Sequence, residues 1–222
     1  MITKINNMKN IGIELEFFVK EIKSGQIIPA YKATSNLDGN PFIGELKTKV
    51  HVNEYDLIYE LKSIIHRESD ILKSKGFELL LIPEITISKD EFKSLRRDKS
   101  YVNKKELEVL DEISVYNKNT GKILAPNKFK ASLQVNISDN SVQRISISDG
   151  KIKEVYSSDI FNFNPIIKSF DIEFNNEIKD SNRVAGIYAI KDGNLGKRIE
   201  YRSLPNNVDL NKLMYFIANI KI

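Results

Sequence analysis

Apolar and polar side chains alternate in short stretches within the first fifty residues. In Ile13-Glu14-Leu15-Glu16-Phe17 the apolar residues take every second position and the glutamates fall between them, the period of two that sends neighbours to opposite faces of a strand. Residues 11–19 are therefore expected to be extended, as are 42–50, with a turn over Asn36-Leu37-Asp38-Gly39-Asn40-Pro41 between them. From Asn53 the period changes. Leu57, Ile58, Leu61, Ile64, Ile65, Ile71 and Leu72 recur at helical spacing, with Asn53 as an N-cap and Gly76 as a stop.

Further along, 78–82 and 84–87 read as extended, and the polar, lysine-rich stretch 89–108 as partly helical or mobile. Residues 113–116, 132–138, 142–148 and 151–156 read as strands, with turns at Asn119-Thr120-Gly121 and Asp149-Gly150. Pro165 suits the first turn of a helix towards Asn175, and 209–220 reads as a C-terminal helix. Strands outnumber helices, and no repeat or low-complexity linker divides the chain. The expectation is one α+β domain over 1–222, with helices covering one side of a mostly antiparallel sheet.

Composition narrows the chemistry. Hydrophobic residues make up 41% and charged ones 29% of 222, the balance of a chain that folds. With no cysteine and two histidines, disulfides, thiolate metal sites and cysteine nucleophiles are excluded and zinc has little to bind. The net charge of +4 argues for an anionic ligand only where positive residues converge. No apolar run has the length of a membrane span and residues 1–12 lack a signal-peptide core, so a cytoplasmic protein without membrane contact is expected.

The candidate chemistry lies on the polar faces of the strands. Glu14 and Glu16 share one face; Gln134 and Asn136 oppose Leu133, Val135 and Ile137; Arg198, Glu200 and Arg202 oppose Ile199 and Tyr201; Glu45 and Lys47 belong to a fourth strand. Two carboxylates on one face repel, and a divalent cation relieves that repulsion. Oxygen donors favour magnesium or manganese over zinc. Arginines beside such a metal suit phosphoryl oxygens, which points to nucleoside-triphosphate chemistry. The competing reading is that amphipathic strands carry a solvated polar face, which is the commoner situation for any one strand taken alone.

Four ordered motifs resemble the glutamine synthetase and γ-glutamylcysteine synthetase superfamily, above all its small phage-type amidoligases. Gly12-Ile13-Glu14-Leu15-Glu16-Phe17 resembles the opening Glu-x-Glu strand, and Gly44-Glu45-Leu46 a later ligand strand. Residues 131–138 resemble the His-x-His strand, with Gln134 and Asn136 in the histidine positions. Residues 197–206 are similar to the strand in which a glutamate binds metal and the arginine two residues later contacts phosphate or substrate. Arg183 resembles an upstream phosphate-binding arginine.

The resemblance implies a curved antiparallel sheet forming a funnel. Glu14, Glu16, Glu45, Gln134 and Glu200 would hold magnesium against ATP, with Arg183, Arg198, Arg202 and Lys47 facing phosphate. Asn136 would contact the acid or the phosphoryl group, and Asp38 would take a proton from the amine. The implied reaction joins a small-molecule or peptide carboxylate to an amine through an acyl phosphate. The chain is short for the superfamily, so the nucleotide-base pocket would be minimal or completed by a second copy in a homo-oligomer.

The alternative is a non-catalytic phage or mobile-element binding protein that keeps the ligase fold, motivated by the amides at 134 and 136. His51 and His66 read as surface residues. Arg96, Arg97, Lys99 and Tyr101 read as a solvated charged face rather than a nucleic-acid patch, and Gly193 and Gly196 as loop residues beside Arg198.

Overall fold

The computed structural model describes residues 10–38, 42–86, 128–138, 153–154, 187–192 and 196–219. The expected elements at 89–108, 113–116, 142–148 and 165–175, and the turns at 119–121 and 149–150, lie outside the described residues. Within them the fold mixes α and β structure, with a mostly antiparallel open sheet and two α-helices. The chain forms two compact units, neither contiguous in sequence. The first comprises 1–15, 46–67 and 132–222, and the second 16–45 and 68–131.

Strand β1 (Asn10–Glu21) runs through both units. In the first unit its residues Asn10 to Leu15 pair antiparallel with β7 (Ser132–Ser138), a pairing more than a hundred residues apart in sequence. Next to β7 lies β10 (Gly196–Pro205), then β9 (Ile187–Asp192) and β8 (Lys153–Glu154), all antiparallel. Leu133, Val135, Ile137, Tyr201 and Leu204 are buried.

Helix α2 (Leu210–Asn219) begins where the Asp209 carboxylate accepts the amides of Asn211 and Lys212 at 3.0 and 2.9 Å, an N-cap that satisfies two otherwise orphaned donors. It buries Leu213, Phe216 and Ile217, the i, i+3, i+4 stripe of an amphipathic helix. The Phe216 ring centroid lies 5.3 Å from that of Tyr201.

Beyond β3 (Gly44–Lys47), a strap over residues 48–51 runs along the first half of β1. Ile13 and Thr48 exchange two bonds, the Ile13 amide to Thr48 Oγ1 and the Thr48 amide to the Ile13 carbonyl, both at 2.9 Å; Ile11 and His51 exchange a backbone pair at 2.8 Å. Two steps along β1 thus face three along the strap, so Lys49 and Val50 form a bulge. Helix α1 (Glu54–Ser74) comes next, capped by Asn53, whose Oδ1 accepts the Asp56 amide at 2.8 Å, and ended at Gly76, where φ is +87°.

In the second unit, Phe18 to Glu21 pair with β4 (Phe77–Leu80) and Val19 and Lys20 with β2 (Ile27–Ile28). A separate ribbon joins β5 (Glu84–Thr86) to β6 (Lys128–Lys130). Phe18, Phe42, Ile43, Ile85, Phe129 and Ala131 form the core, with the Phe42 and Phe129 rings stacked at 4.5 Å. The turn expected at 36–41 closes as an antiparallel bridge between Leu37 and Gly44, with 39–41 outside the described residues. The strand expected over 42–50 shortens to four residues, because Phe42 and Ile43 turn into this core and the bulge interrupts the far end.

Gly44 lies against the Phe17 ring so closely that an added Cβ would come under 3.0 Å from three of its carbons, and Phe17 is fully buried. Gly44→Ala is expected to lower unfolding stability by about 1–3 kcal/mol, the cost of overpacking a closed site. Denaturant unfolding of the two proteins measures it, and an unchanged midpoint would show that the ring gives way freely.

Candidate functional site

Pairing register puts the polar positions of three strands on one face. Asn10 is opposite Ser138, Gly12 opposite Asn136 and Glu14 opposite Gln134, while Glu200 is opposite Asn136 from the other side. Directly opposed residues of an antiparallel pair share a face, so positions 10, 12, 14, 134, 136, 138 and 200 belong together. Arg198 pairs with Ile190 in the β9–β10 ladder. After Tyr201 the register shifts, and Arg202 and Ser203 together span the place opposite Gln134, a bulge that interrupts the alternation linking Glu200 to Arg202.

A pocket of about 470 Å³ opens on this face, within the range that holds a small molecule. Asn10, Gly12, Ile13 and Glu14 of β1 contribute one side, and Asn136, Ile137 and Ser138 of β7 another. Lys47, Thr48 and Val50 close it from the strap. An added Cβ on Gly12 would meet Lys49 O at 3.8 Å and Thr48 Oγ1 at 3.9 Å, ordinary contacts. The missing side chain at 12 is therefore open space.

The Glu14 side chain is 17% exposed, and Asn136 and Lys47 are among the neighbours it engages. Asn136 Nδ2 donates to its Oε1 at 3.3 Å, and Lys47 Nζ stands 3.6 Å from its Oε2. A carboxylate only accepts, which fixes the Asn136 amide with nitrogen towards Glu14. Asn136 Oδ1 is consequently left enclosed, without a donor. Such an orphan acceptor costs about 1–3 kcal/mol. The Lys47 pair is long and its lysine exposed, so the pair contributes little to stability.

The other expected site residues are spread over both units. Gln134 is 3% exposed. In the second unit, Glu16 is fully buried, Glu45 is 8% exposed and donates its amide to the Asn36 carbonyl at 3.0 Å, and Asp38 donates its amide to the Ile43 carbonyl at 3.1 Å. Arg183 lies outside the described residues. Among the described residues no three His, Cys, Asp or Glu side chains converge as a metal-holding group. The polar positions at 14, 16, 45 and 134 are nonetheless inside the protein, unlike those of a solvated strand face.

Two polar clusters escaped the sequence reading. His51, expected at the surface, is half-buried, and its Nε2 is 2.6 Å from Glu60 Oε2, which also accepts the Lys49 amide at 2.9 Å. This pair tethers the bulged strap to α1. Glu68 is 4% exposed and accepts Thr34 Oγ1 at 2.6 Å and Asn36 Nδ2 at 2.8 Å. It continues the stripe of Leu57, Leu61, Ile64 and Leu72 at helical spacing, whereas Ile71, counted among the apolar positions, is 41% exposed. That spacing was the available signal for a buried carboxyl.

Compared with models of protein families, with curated proteins and with solved structures, the chain matches none of them.

Burial opposes the Glu60 charge, but the His51 hydrogen bond, the Lys49 amide and the charges of His51 and Lys49 outweigh it and hold the carboxyl below its ordinary value. A depressed folded pKa gives a stabilisation that is present above the unfolded value, about 4.3, and lost as pH falls through the folded one. Thermal melts of wild type and Glu60→Gln should therefore differ most near neutrality and converge below about pH 4. A constant difference at every pH would show that Glu60 acts through packing alone.

Proposed function

We propose that the chain is an ATP- and magnesium-dependent carboxylate–amine ligase of the glutamine synthetase-like type, built on a curved antiparallel sheet. The observation that carries this reading is the register that joins Glu14, Gln134, Asn136 and Glu200 on one face, beside a pocket of about 470 Å³. Glu14 and Gln134 are interior polar groups, and buried polar residues with no apolar substitute invite a functional explanation.

An all-oxygen donor set of carboxylates and amides fits a hard divalent cation. Glu14, Gln134 and Glu200 would hold it, and Lys47, exposed beside Glu14, would turn to a phosphoryl oxygen. The metal supplies charge neutralisation at the transferring phosphoryl group. Arg202 and Arg198 would bear on the same charge. The γ-phosphoryl group passes to the substrate carboxylate, releasing ADP. The amine nitrogen then attacks the acyl carbon, and phosphate leaves as the amide bond forms.

A non-catalytic binding protein is the second reading. It is favoured by the Lys47–Glu14 pair, which sets an ammonium where the ligase needs a metal, and by the amides at 134 and 136.

Purified chain with ATP, magnesium and panels of acids and amines is expected to release ADP and phosphate only when both co-substrates are present. Glu200→Gln and Arg202→Ala should each reduce turnover by roughly a hundredfold or more, with circular dichroism unchanged. Nucleotide-independent binding without any phosphate release would favour the second reading. Failure to bind nucleotide under every metal condition would sink the first.

A further inference from the structure

We infer that the strap is a movable wall of the pocket, and that the Glu60 carboxylate is the clasp that keeps it closed. Such a wall governs entry to the space beside β1 and β7, whichever of the two readings describes the occupant.

The strap has no apolar anchor. From Lys47 to Asp56 every residue is exposed or only half-buried, whereas Leu46 before this run is 6% exposed and Leu57 after it is fully buried. Its apolar members do not change that, since Val50 is 59% and Val52 56% exposed. A segment that removes so little hydrocarbon from water gains little by staying in place. Leu46 and Leu57 can keep their burial while the chain between them lifts.

Hydrogen bonds hold it instead. Thr48 and Ile13 exchange two at 2.9 Å, one of them through the Thr48 hydroxyl, and Ile11 and His51 exchange two at 2.8 Å. The bulge at Lys49 and Val50 separates these pairs, so the ladder along β1 is interrupted. One atom spans the gap. Glu60 Oε2, on α1, accepts the Lys49 amide at 2.9 Å and lies 2.6 Å from His51 Nε2. A carboxylate only accepts, so Nε2 carries the hydrogen, and bonds to an ionised acceptor are stronger than those of the neutral ladder. A wall secured by a few bonds that water can replace opens at a lower free energy than the core behind it.

Opening acts on the pocket directly. Thr48 and Val50 line it, and the vacant Cβ position of Gly12 is bounded by Lys49 O at 3.8 Å and Thr48 Oγ1 at 3.9 Å. When Glu60 releases its two donors these atoms are free to move away from β1, and the pocket at Gly12 becomes reachable from solvent. The amides of Ile11 and Ile13 lose their strap acceptors in the same movement. They therefore share one opening event with the amides of Thr48, Lys49 and His51.

Amide exchange of the wild-type chain, followed by NMR, tests the opening. The amides of Ile11, Ile13, Thr48, Lys49 and His51 should exchange as a group, at least roughly tenfold faster than those of Leu133 and Val135 in β7 once intrinsic rates are allowed for. Thiol labelling tests the clasp. The chain has no cysteine, so Gly12→Cys, whose Cβ meets only ordinary contacts, supplies a single thiol in the pocket. Fluorescein maleimide should label it at least roughly tenfold faster when Glu60→Leu is added, and within about threefold of the parent rate when Glu60→Gln is added, because glutamine keeps an acceptor oxygen. Val135→Cys, a reporter at a fully buried position, should label equally slowly in all three backgrounds. Strap amides that exchange no faster than those of β7 overturn the proposal. So does labelling at position 12 that Glu60→Leu leaves unchanged, or raises only together with labelling at position 135.

Discussion

The backbone of β1 has to be satisfied along both of its edges, and nearly everything else in the described fold depends on how that is done. A buried twelve-residue strand carries donors and acceptors that cannot be left unpaired. Over Ile11 and Ile13 the strap of residues 48–51 serves one edge, while β7 serves the other from Asn10 to Leu15. Beyond Phe18 the partners change to β2 and β4. The strap is the irregular member. Its bulge at Lys49 and Val50 separates the exposed Val50 from the His51 tether and gives the pocket a wall where a regular strand would give another ladder.

Once β1 is enclosed, its glutamates become a thermodynamic problem. Glu16 is fully buried and the Glu14 side chain 17% exposed, and burial of a carboxylate costs several kcal/mol unless hydrogen bonds or countercharge offset it. At Glu14 that offset includes an amide at 3.3 Å and a long pair with the exposed Lys47 ammonium. The Asn136 bond also adds a cost of its own by orphaning Oδ1. Contrast Glu68, whose two oxygens each take a short bond from Thr34 or Asn36. Glu68 has the bonding of a structural carboxyl.

The sequence patterns that proved legible are the local ones. Period-two alternation located 132–138 to the residue as β7, and the helical stripe with Asn53 and Gly76 located α1, because caps and faces are decided by neighbours within a turn. Alternation also placed Glu14 with the polar positions of β7. It could not say that Glu14 would stand opposite Gln134, since register is fixed by partners a hundred residues away. Strands β2 and β6 are two and three residues long and carry too little pattern to see. The His51–Glu60 tether joins residues nine apart on a bulge and a helix, and nothing in either segment alone announces it.

The bulge in β10 shows how far strand periodicity can be carried into a site. Alternation alone sets Arg198, Glu200 and Arg202 on one face. Glu200 opposite Asn136 agrees with it, because the ladder is regular as far as Tyr201. From Arg202 the strand gains a residue against β7, so the phase that placed Glu200 no longer applies, and Arg202 and Ser203 jointly oppose Gln134. A bulge twists its strand and re-aims the residues beyond it. Regular pairing would have fixed position 202 to the pleat beside Glu200. The extra residue instead frees its placement from that pleat, at the point in β10 opposite Gln134 of β7.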